Sequence, residues 1–355
     1  MIGAPGLWRM LYLRHDYCIS RIDILTNYKR SPMSSKTFLI TGGSGFVGRA
    51  VINRLALVSG CSVVAPVRNT STTFAAGVHA IPFACLDSAT DWSDALKGVD
   101  VVIHAAARVH VMNEVSADPL TAFRQINVEG SLNLARQAVA AGVRRFVFIS
   151  SIKVNGEGGR QDQAYTAEDV PAPVDPYAIS KLEAERALQA LAVASGMEVV
   201  VIRPVLVYGP GVKANFLSMM RWLHRGVPLP LGAVHNCRSL VAIDNLVDLI
   251  VTCTEHPAAA NQVFLASDGE DVSTTQLLRK LARALGKPAV LLPIPVWLMR
   301  GAAALLGRQA LSQRIFGSLR VDISKNRQLL GWVPPVTLDK ALSLTAQHFL
   351  DYRQS

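Results

Sequence analysis

Thr41-Gly-Gly-Ser-Gly-Phe-Val-Gly48 decides how the rest of the chain is read. Just before it, Thr37-Phe-Leu-Ile40 is short and apolar enough for a buried parallel strand; just after it, Val47, Val51, Leu55 and Val58 recur at helical spacing. A strand, a glycine turn and a helix N-terminus together bind the pyrophosphate of a dinucleotide. Gly42 permits the tight turn, Gly45 lets the backbone approach the phosphates and Gly48 lets helix and strand pack closely, while unpaired N–H groups and the positive dipole end of the helix face the anion.

Outward from this run, short apolar segments alternate with helical patterns. Cys61–Val67, Ala80–Phe83, Val99–Ala105, Arg145–Ser150 and Val199–Arg203 read as strands, with helices at about 46–58, 91–97, 119–141 and 176–195 between them. This alternation predicts an α/β fold, a Rossmann-type doubly wound parallel sheet with right-handed crossovers. From about residue 205 the pattern changes to Pro/Gly-rich loops, among them Tyr208-Gly-Pro-Gly211 and Pro228-Leu-Pro-Leu-Gly232, and mostly helical segments. The expected division is an N-terminal extension over 1–35, a dinucleotide-binding domain over 36–204 and a smaller, mostly helical substrate-binding region over 205–355, interleaved with the first.

Composition agrees with a folded enzyme-sized chain: of 355 residues, 50% are hydrophobic and 17% charged. Cys18, Cys61, Cys85, Cys237 and Cys253 form no CxxC pair, which points to reduced, mostly buried thiols in a cytoplasmic protein and to no metal site. The net charge is +10, of which residues 1–32 contribute +3; the remainder lies in no basic run with interleaved aromatics, which argues against nucleic acid and fits a mildly basic cleft for a dianionic nucleotide. The longest apolar stretch, Ala289–Gly307, is interrupted by Pro293, Pro295 and Arg300, so it predicts a loop followed by a buried helix and not a transmembrane segment. Residues 1–32 lack a signal-peptide core and precede Met33-Ser-Ser-Lys, which reads as the natural start of the chain.

The chemistry-bearing residues come next. Tyr177-Ala-Ile-Ser-Lys181 opens a helix that Asp175 can cap and Pro176 can start. The i, i+4 spacing puts phenol and ammonium on one face, where the ammonium is expected to lower the phenol pKa. Upstream, Phe146-Val-Phe-Ile-Ser-Ser151 is a buried strand ending in two serines, and ligands in open α/β folds bind outside the carboxyl ends of the strands. Serine, tyrosine and lysine so placed describe hydride transfer at a carbinol carbon, with Tyr177 exchanging the proton. His104 sits in a sheet-end motif and reads as structural.

In these elements the sequence resembles the extended short-chain dehydrogenases/reductases, the epimerase/dehydratase group. The resemblance runs through 36–350 and rests on Thr41–Gly48, Asp100-Val-Val-Ile-His-Ala-Ala106, Ser150-Ser151, Tyr177/Lys181, Arg203-Pro204 and Val207-Tyr-Gly-Pro-Gly211. It implies that Phe46 and Val47, beside the glycines, and Ala105, Ala106, Ser150 and Pro204 line the cofactor, that Asp87 contacts its adenine, and that Lys181 also binds the nicotinamide ribose. Tyr177 would be the acid/base; Ser151, chosen over Ser150, would polarise the substrate oxygen.

The cofactor preference is read from the second strand. A carboxylate after it would favour NAD(H), yet no Asp or Glu lies between Gly48 and Leu86, and Arg68 stands where a 2′-phosphate would be met. NADP(H) is therefore expected, with NAD(H) as the alternative.

For the substrate, the 211–216 and 238–244 segments resemble those that hold a UDP-sugar, with Arg238 on the diphosphate and Lys213, Asn215 and Phe216 near the nucleotide. Further likeness to bacterial enzymes of O-antigen sugar synthesis lies in Ser151-Ile-Lys-Val-Asn-Gly156, Leu229-Pro-Leu-Gly232, Ser267–Asp271 and Arg320–Lys325. A 4,6-dehydratase would carry Asp-Glu where Ile152 and Lys153 stand. The reading leans to NADPH-dependent reduction of the C4 ketone of a UDP-2-acetamido-2,6-dideoxy-4-ketohexose, forming UDP-N-acetylquinovosamine. A UDP-hexose 4-epimerase with tightly bound NAD is the alternative, and a non-catalytic dinucleotide sensor the second. The resemblance allows a homodimer through the 119–141 and 176–195 helices, whose apolar faces equally serve a monomer core.

Overall fold

The computed structural model describes residues 35–69, 71–109, 118–158, 163–305, 307 and 309–354. The expected extension over 1–35 and the start at Met33 lie, Ser35 apart, outside them. The chain runs through β1 (Lys36–Thr41), α1 (Phe46–Leu55), β2 (Cys61–Val67), β3 (Val78–Pro82), β4 (Val101–His104), α2 (Pro119–Arg124), a π-helical turn (Gln125–Gly130), α3 (Ser131–Ala140), β5 (Arg145–Ile149), α4 (Pro176–Ser195), β6 (Glu198–Pro204) and β7 (Leu206–Tyr208). It continues through α5 (Ala214–His224), β8 (Arg238–Ala242), α6 (Ile243–Glu255), β9 (Val263–Ala266), β10 (Asp271–Val272), α7 (Thr274–Ala284), α8 (Val296–Leu305), α9 (Gln309–Phe316), α10 (Ser324–Leu330) and α11 (Leu338–Gln354).

Seven strands form one parallel sheet in the order β3-β2-β1-β4-β5-β6-β9. The order reverses at β1, whose Thr41 pairs with His104 of β4, so the crevice of a doubly wound sheet opens at the end of the glycine run. Period-2 alternation sends Phe38, Ile40, Ile103 and Val147 to one face, against Val51, Ile52 and Leu55 of α1 and Leu246 and Ile250 of α6. Leu39, Val102, Phe146 and Phe148 go to the other, against Leu134 and Ala138 of α3 and Ala184 and Leu188 of α4. Apolar residues on both faces are what a parallel sheet covered by helices requires.

After β6 the chain leaves the sheet for a smaller lobe, where β7 pairs with β8 in parallel and β10 with β8 antiparallel. That lobe has its own core, built from Phe216 and Met220 of α5, Leu278 and Leu281 of α7 and Leu342 and Phe349 of α11. β9 then returns to pair with β6, so the 205–355 segment contributes a strand to the main sheet.

Five local expectations are corrected. The thiols expected to be mostly buried are not: among the described residues Cys253 is buried, Cys61 is half-buried, and Cys85 and Cys237 are exposed, because they sit in loops at the sheet margin and before β8. The helix expected over 91–97 is a run of turns with one helical bond, Leu96 N–H to Trp92 O at 3.0 Å; six or seven residues gain too few bonds to offset nucleation, although Trp92 and Leu96 still fill the core. The helix expected over 46–58 stops at Leu55, capped by Ala56. The 119–141 helix is broken by the π-helical turn, where the buried Asn127 side chain accepts from Arg108 N–H and donates to the Ser180 hydroxyl. The helix in the 289–307 stretch exists, but none of its residues is buried.

Candidate active site

The glycine run forms the expected cradle. Gly42 has φ +73°, and a Cβ there would stand 2.8 Å from the backbone of Ala105 and Ala106; one on Gly48 would stand 2.3 Å from Gly42 O. Gly45 donates its N–H to Gly42 O and is the N-cap of α1, with no side-chain cap and no acidic residue in the first turn. An uncapped N-terminus of this kind offers its N–H groups and dipole to an anion. Phe46 and Val47 are half-buried against the sheet beneath it. Ala105 and Ala106 follow β4, with Ala106 N–H donating to Thr41 Oγ1, so β1 and β4 jointly present the crevice. A crevice that only glycine admits, bounded by helix N–H groups, fits a dinucleotide pyrophosphate.

Arg68 is exposed directly after β2, and a bond from Phe83 N–H to Val67 O ties this edge to the end of β3. Asp87 lies on that same side. Its carboxylate accepts from Ala89 N–H, Thr90 N–H, the Thr90 hydroxyl and the Cys85 thiol, and these bonds hold it below the usual carboxylate range. Pro204 is buried at the end of β6, in register with Ala266.

Ser150 and Ser151 follow β5 but serve different partners. Ser150 is buried and donates its hydroxyl to Glu185. Ser151 is half-buried, accepts from Lys153 N–H at 3.3 Å and faces the Tyr177 hydroxyl. Tyr177 is the second residue of α4, whose N-terminus is fixed by Pro176 and by the Asp175 carboxylate accepting from Ala178 N–H at 2.6 Å. Phe123 meets the Tyr177 ring edge-on at 6.0 Å.

Lys181, one turn on, is buried; its ammonium donates to Ile149 O at 2.8 Å and lies 4.4 Å above the Phe148 ring. The expected depression of the phenol by this ammonium is not present in this state. Burial, with the Asp175 charge adding, pushes Tyr177 up to about 12, opposed by the Ser151 hydroxyl, while burial pulls Lys181 down to about 7, opposed by Glu185. His104 is structural, as read: it is fully buried, bonds Thr41 Oγ1 at 2.7 Å and Ser131 Oγ at 2.8 Å, and burial takes it down to about 3.

Sequence reading did not single out Glu185. It accepts from Arg203 Nη2 at 2.6 Å and Nε at 3.0 Å, and from Ser150. Arg203 Nη1 reaches Asn155 Oδ1 at 3.0 Å. This buried network fixes the ends of β5 and β6 against α4. Its signal was the i, i+4, i+8 series Tyr177, Lys181, Glu185 on one helix face.

On the second lobe, Lys213 precedes α5 as its N-cap, and both it and Asn215 are exposed. Phe216 is corrected from a ligand contact to a core residue: it is 2% exposed and stacks on Tyr208 at 5.4 Å, because its helix turns that face to α7 and α11. Arg238 opens β8, half-buried, with Nη1 donating to Gly317 O at 3.3 Å; burial draws its pKa down.

Comparison with known proteins agrees with this geometry. Residues 38–266 match the NAD dependent epimerase/dehydratase family. A UDP-glucose 4-epimerase of Vibrio cholerae is 50% identical over 316 residues, covering 89% of this chain and 96% of that protein. A UDP-glucose 4-epimerase of Mycolicibacterium smegmatis is 29% identical, over 89% of this chain and 99% of that one. Among solved structures, MoeE5 in complex with UDP-glucose and NAD superposes with a TM-score of 0.71 at 25% identity, covering 90% of this chain and 100% of that one. With its glycine cradle and its serine, tyrosine and lysine all in place, the chain belongs to the NAD dependent epimerase/dehydratase family of enzymes.

Proposed function

We propose that the protein interconverts UDP-hexoses at C4, as a UDP-glucose 4-epimerase with a retained nicotinamide dinucleotide. The observation that carries this reading is the 50% identity to the Vibrio cholerae UDP-glucose 4-epimerase along 96% of its length. It reverses the preference for net ketone reduction drawn from Arg68 and from the likeness to O-antigen sugar enzymes.

A bound nicotinamide dinucleotide would supply the acceptor and donor for the hydride of the sugar C4–H. The glycine cradle would hold its pyrophosphate and Lys181 its ribose. Tyr177 removes the proton from the C4 hydroxyl and later restores it, and Ser151 hydrogen-bonds the same oxygen through both halves of the reaction. Arg238, with Lys213 and Asn215, would hold the UDP diphosphate, leaving the ketosugar room to turn its other face before the hydride returns. Dehydration has no support: Ile152 is buried, and the Lys153 ammonium pairs with Glu157 at 2.6 Å and with Asp175, so no carboxylate follows Ser151 to abstract a C5 proton.

A second reading, NADPH-dependent reduction of a UDP-4-ketohexose, rests on Arg68 standing free of any acidic neighbour in sequence at the end of β2. One experiment separates the two. Purified protein and UDP-galactose, with no added nucleotide, should yield UDP-glucose at a rate that Tyr177→Phe abolishes. Failure there, with stoichiometric NADPH oxidation by a UDP-4-ketohexose, would establish the reductase instead.

A further inference from the structure

The 289–307 stretch holds an apolar helix that the fold leaves largely uncovered. Every residue of α8 but Arg300 is apolar or glycine, and none is buried. Trp297 is 71%, Leu298 47% and Leu305 91% exposed, and Val290 and Leu292 in the preceding loop are exposed as well. Val296, Met299 and Ala303 are half-buried and the other seven residues of the helix are exposed; single exposed hydrophobics are ordinary, but an apolar helix exposed along most of its surface marks an interaction surface.

Charge says what that surface fits. From Val272 to Val321 the chain has no Asp or Glu and eight Lys or Arg. Lys280 and Arg320 face the carboxylates of Asp339 and Asp271. Besides these, Arg279 and Arg283 of α7, Lys287 in the loop after it and Arg300 of α8 itself are exposed, in the same run of chain as an exposed tryptophan and several aliphatic side chains. Apolar insertion beside a cationic belt is the chemistry of an anionic bilayer surface. At ten residues α8 is about 15 Å long, and no helix among the described residues is long and apolar enough to cross a membrane, so it can only lie in the interface.

The position of this element links it to the site. At one end, Leu229 N–H donates to Val290 O at 2.9 Å and Gly232 N–H to Leu292 O at 2.9 Å; at the other, Ser239 N–H donates to Leu319 O at 2.8 Å. The α8–α9 segment thus leaves and rejoins the 229–239 edge that carries Arg238. We propose that α8 docks the protein peripherally on an anionic phospholipid bilayer and holds that edge toward the surface. The docking does not depend on which sugar nucleotide the site accepts.

The test is flotation of the full chain with vesicles of phosphatidylcholine alone, or with about a third phosphatidylglycerol. Binding to the anionic vesicles should be at least about tenfold the stronger, and Trp297→Glu with Leu305→Glu should lower it by at least about tenfold. Both residues are exposed, so thermal stability and epimerase turnover should stay at wild-type values. Absence of flotation, equal binding to neutral vesicles, or flotation that survives the double substitution would overturn the proposal. So would sedimentation showing a dimer that the same substitution dissociates, since a second copy of the chain would then cover α8.

Discussion

Arg203 and Glu185 lock the end of β6 to the middle of α4 by an ion pair at 2.6 Å, with 4% and 1% of their side chains exposed. Ser150 and Asn155 satisfy the remaining acceptor and donor positions. A pair this deep is stable only while complete, so Arg203→Leu should cost about 3–5 kcal/mol by leaving a buried carboxylate without its counter-ion. Adding Glu185→Leu should recover part of the loss. Urea unfolding of the single and double variants measures both; a double variant as unstable as the sum of the singles would mean that the two residues act independently.

The division of labour between the adjacent serines gives opposite expectations. Ser151→Ala should lower kcat about 100-fold with the unfolding midpoint unchanged, since it removes a donor to the reacting oxygen. Ser150→Ala removes a donor to buried Glu185 and should cost about 1–3 kcal/mol of stability, with much smaller kinetic consequences. Kinetics and unfolding measured on both variants decide the assignment, and the reverse pattern would exchange their roles.

Lys181 is protonated in the unfolded chain up to its ordinary pKa, whereas burial takes the folded one down to about 7. Between those values the unfolded state binds more protons, so this residue makes stability rise with pH; below about 7 its buried charge exerts the full penalty. Lys181→Met should therefore raise the urea midpoint at pH 6, by an amount that shrinks as pH approaches 10, while activity is lost throughout. A pH-independent gain would place the ammonium in a solvated setting.

What was legible in the sequence follows from how local each cause is. The glycine run, the alternating strands and the capped Tyr177 helix are fixed by neighbours within a few positions, and α4 spans the expected residues. Phe216 was misread because an aromatic residue beside a phosphate-binding pattern looks the same whether it faces ligand or core, and only the packing of α7 and α11 decides. For Glu185 the spacing with Tyr177 and Lys181 indicates a shared helix face but not its partners, which come from β5 and β6, with Arg203 of β6 also reaching Asn155. α8 kept its predicted helicity but not its burial, since burial depends on what packs opposite.

Arg68 bears on the choice of cofactor alone. If it meets a 2′-phosphate, Arg68→Ala should weaken NADPH at least tenfold and leave NAD unchanged, tenfold being about 1.4 kcal/mol and within reach of one charge-assisted contact. Fluorescence titration of cofactor-free protein with each nucleotide gives both constants. Equal small effects on the two would make Arg68 a solvated loop residue and remove the support for net reduction.

His104 links the cofactor edge of the sheet to acid stability. Folded, it stays neutral down to about pH 3, while in the unfolded chain it takes a proton near its ordinary pKa of about 6.5. Its folded value is depressed, so the contribution is whole above about 6.5 and is lost as pH falls toward 3, at up to about 1.4 kcal/mol per pH unit. His104→Gln should be less stable at neutral pH, because it cannot bond Thr41 and Ser131 as the imidazole does, yet its stability should fall less steeply between pH 6.5 and 4. The same neutrality separates structure from catalysis: a ring that does not titrate near 6.5 leaves no inflection there in kcat/KM. An inflection at that pH which His104→Gln abolishes would make it a proton carrier rather than a strut between β1, β4 and α3.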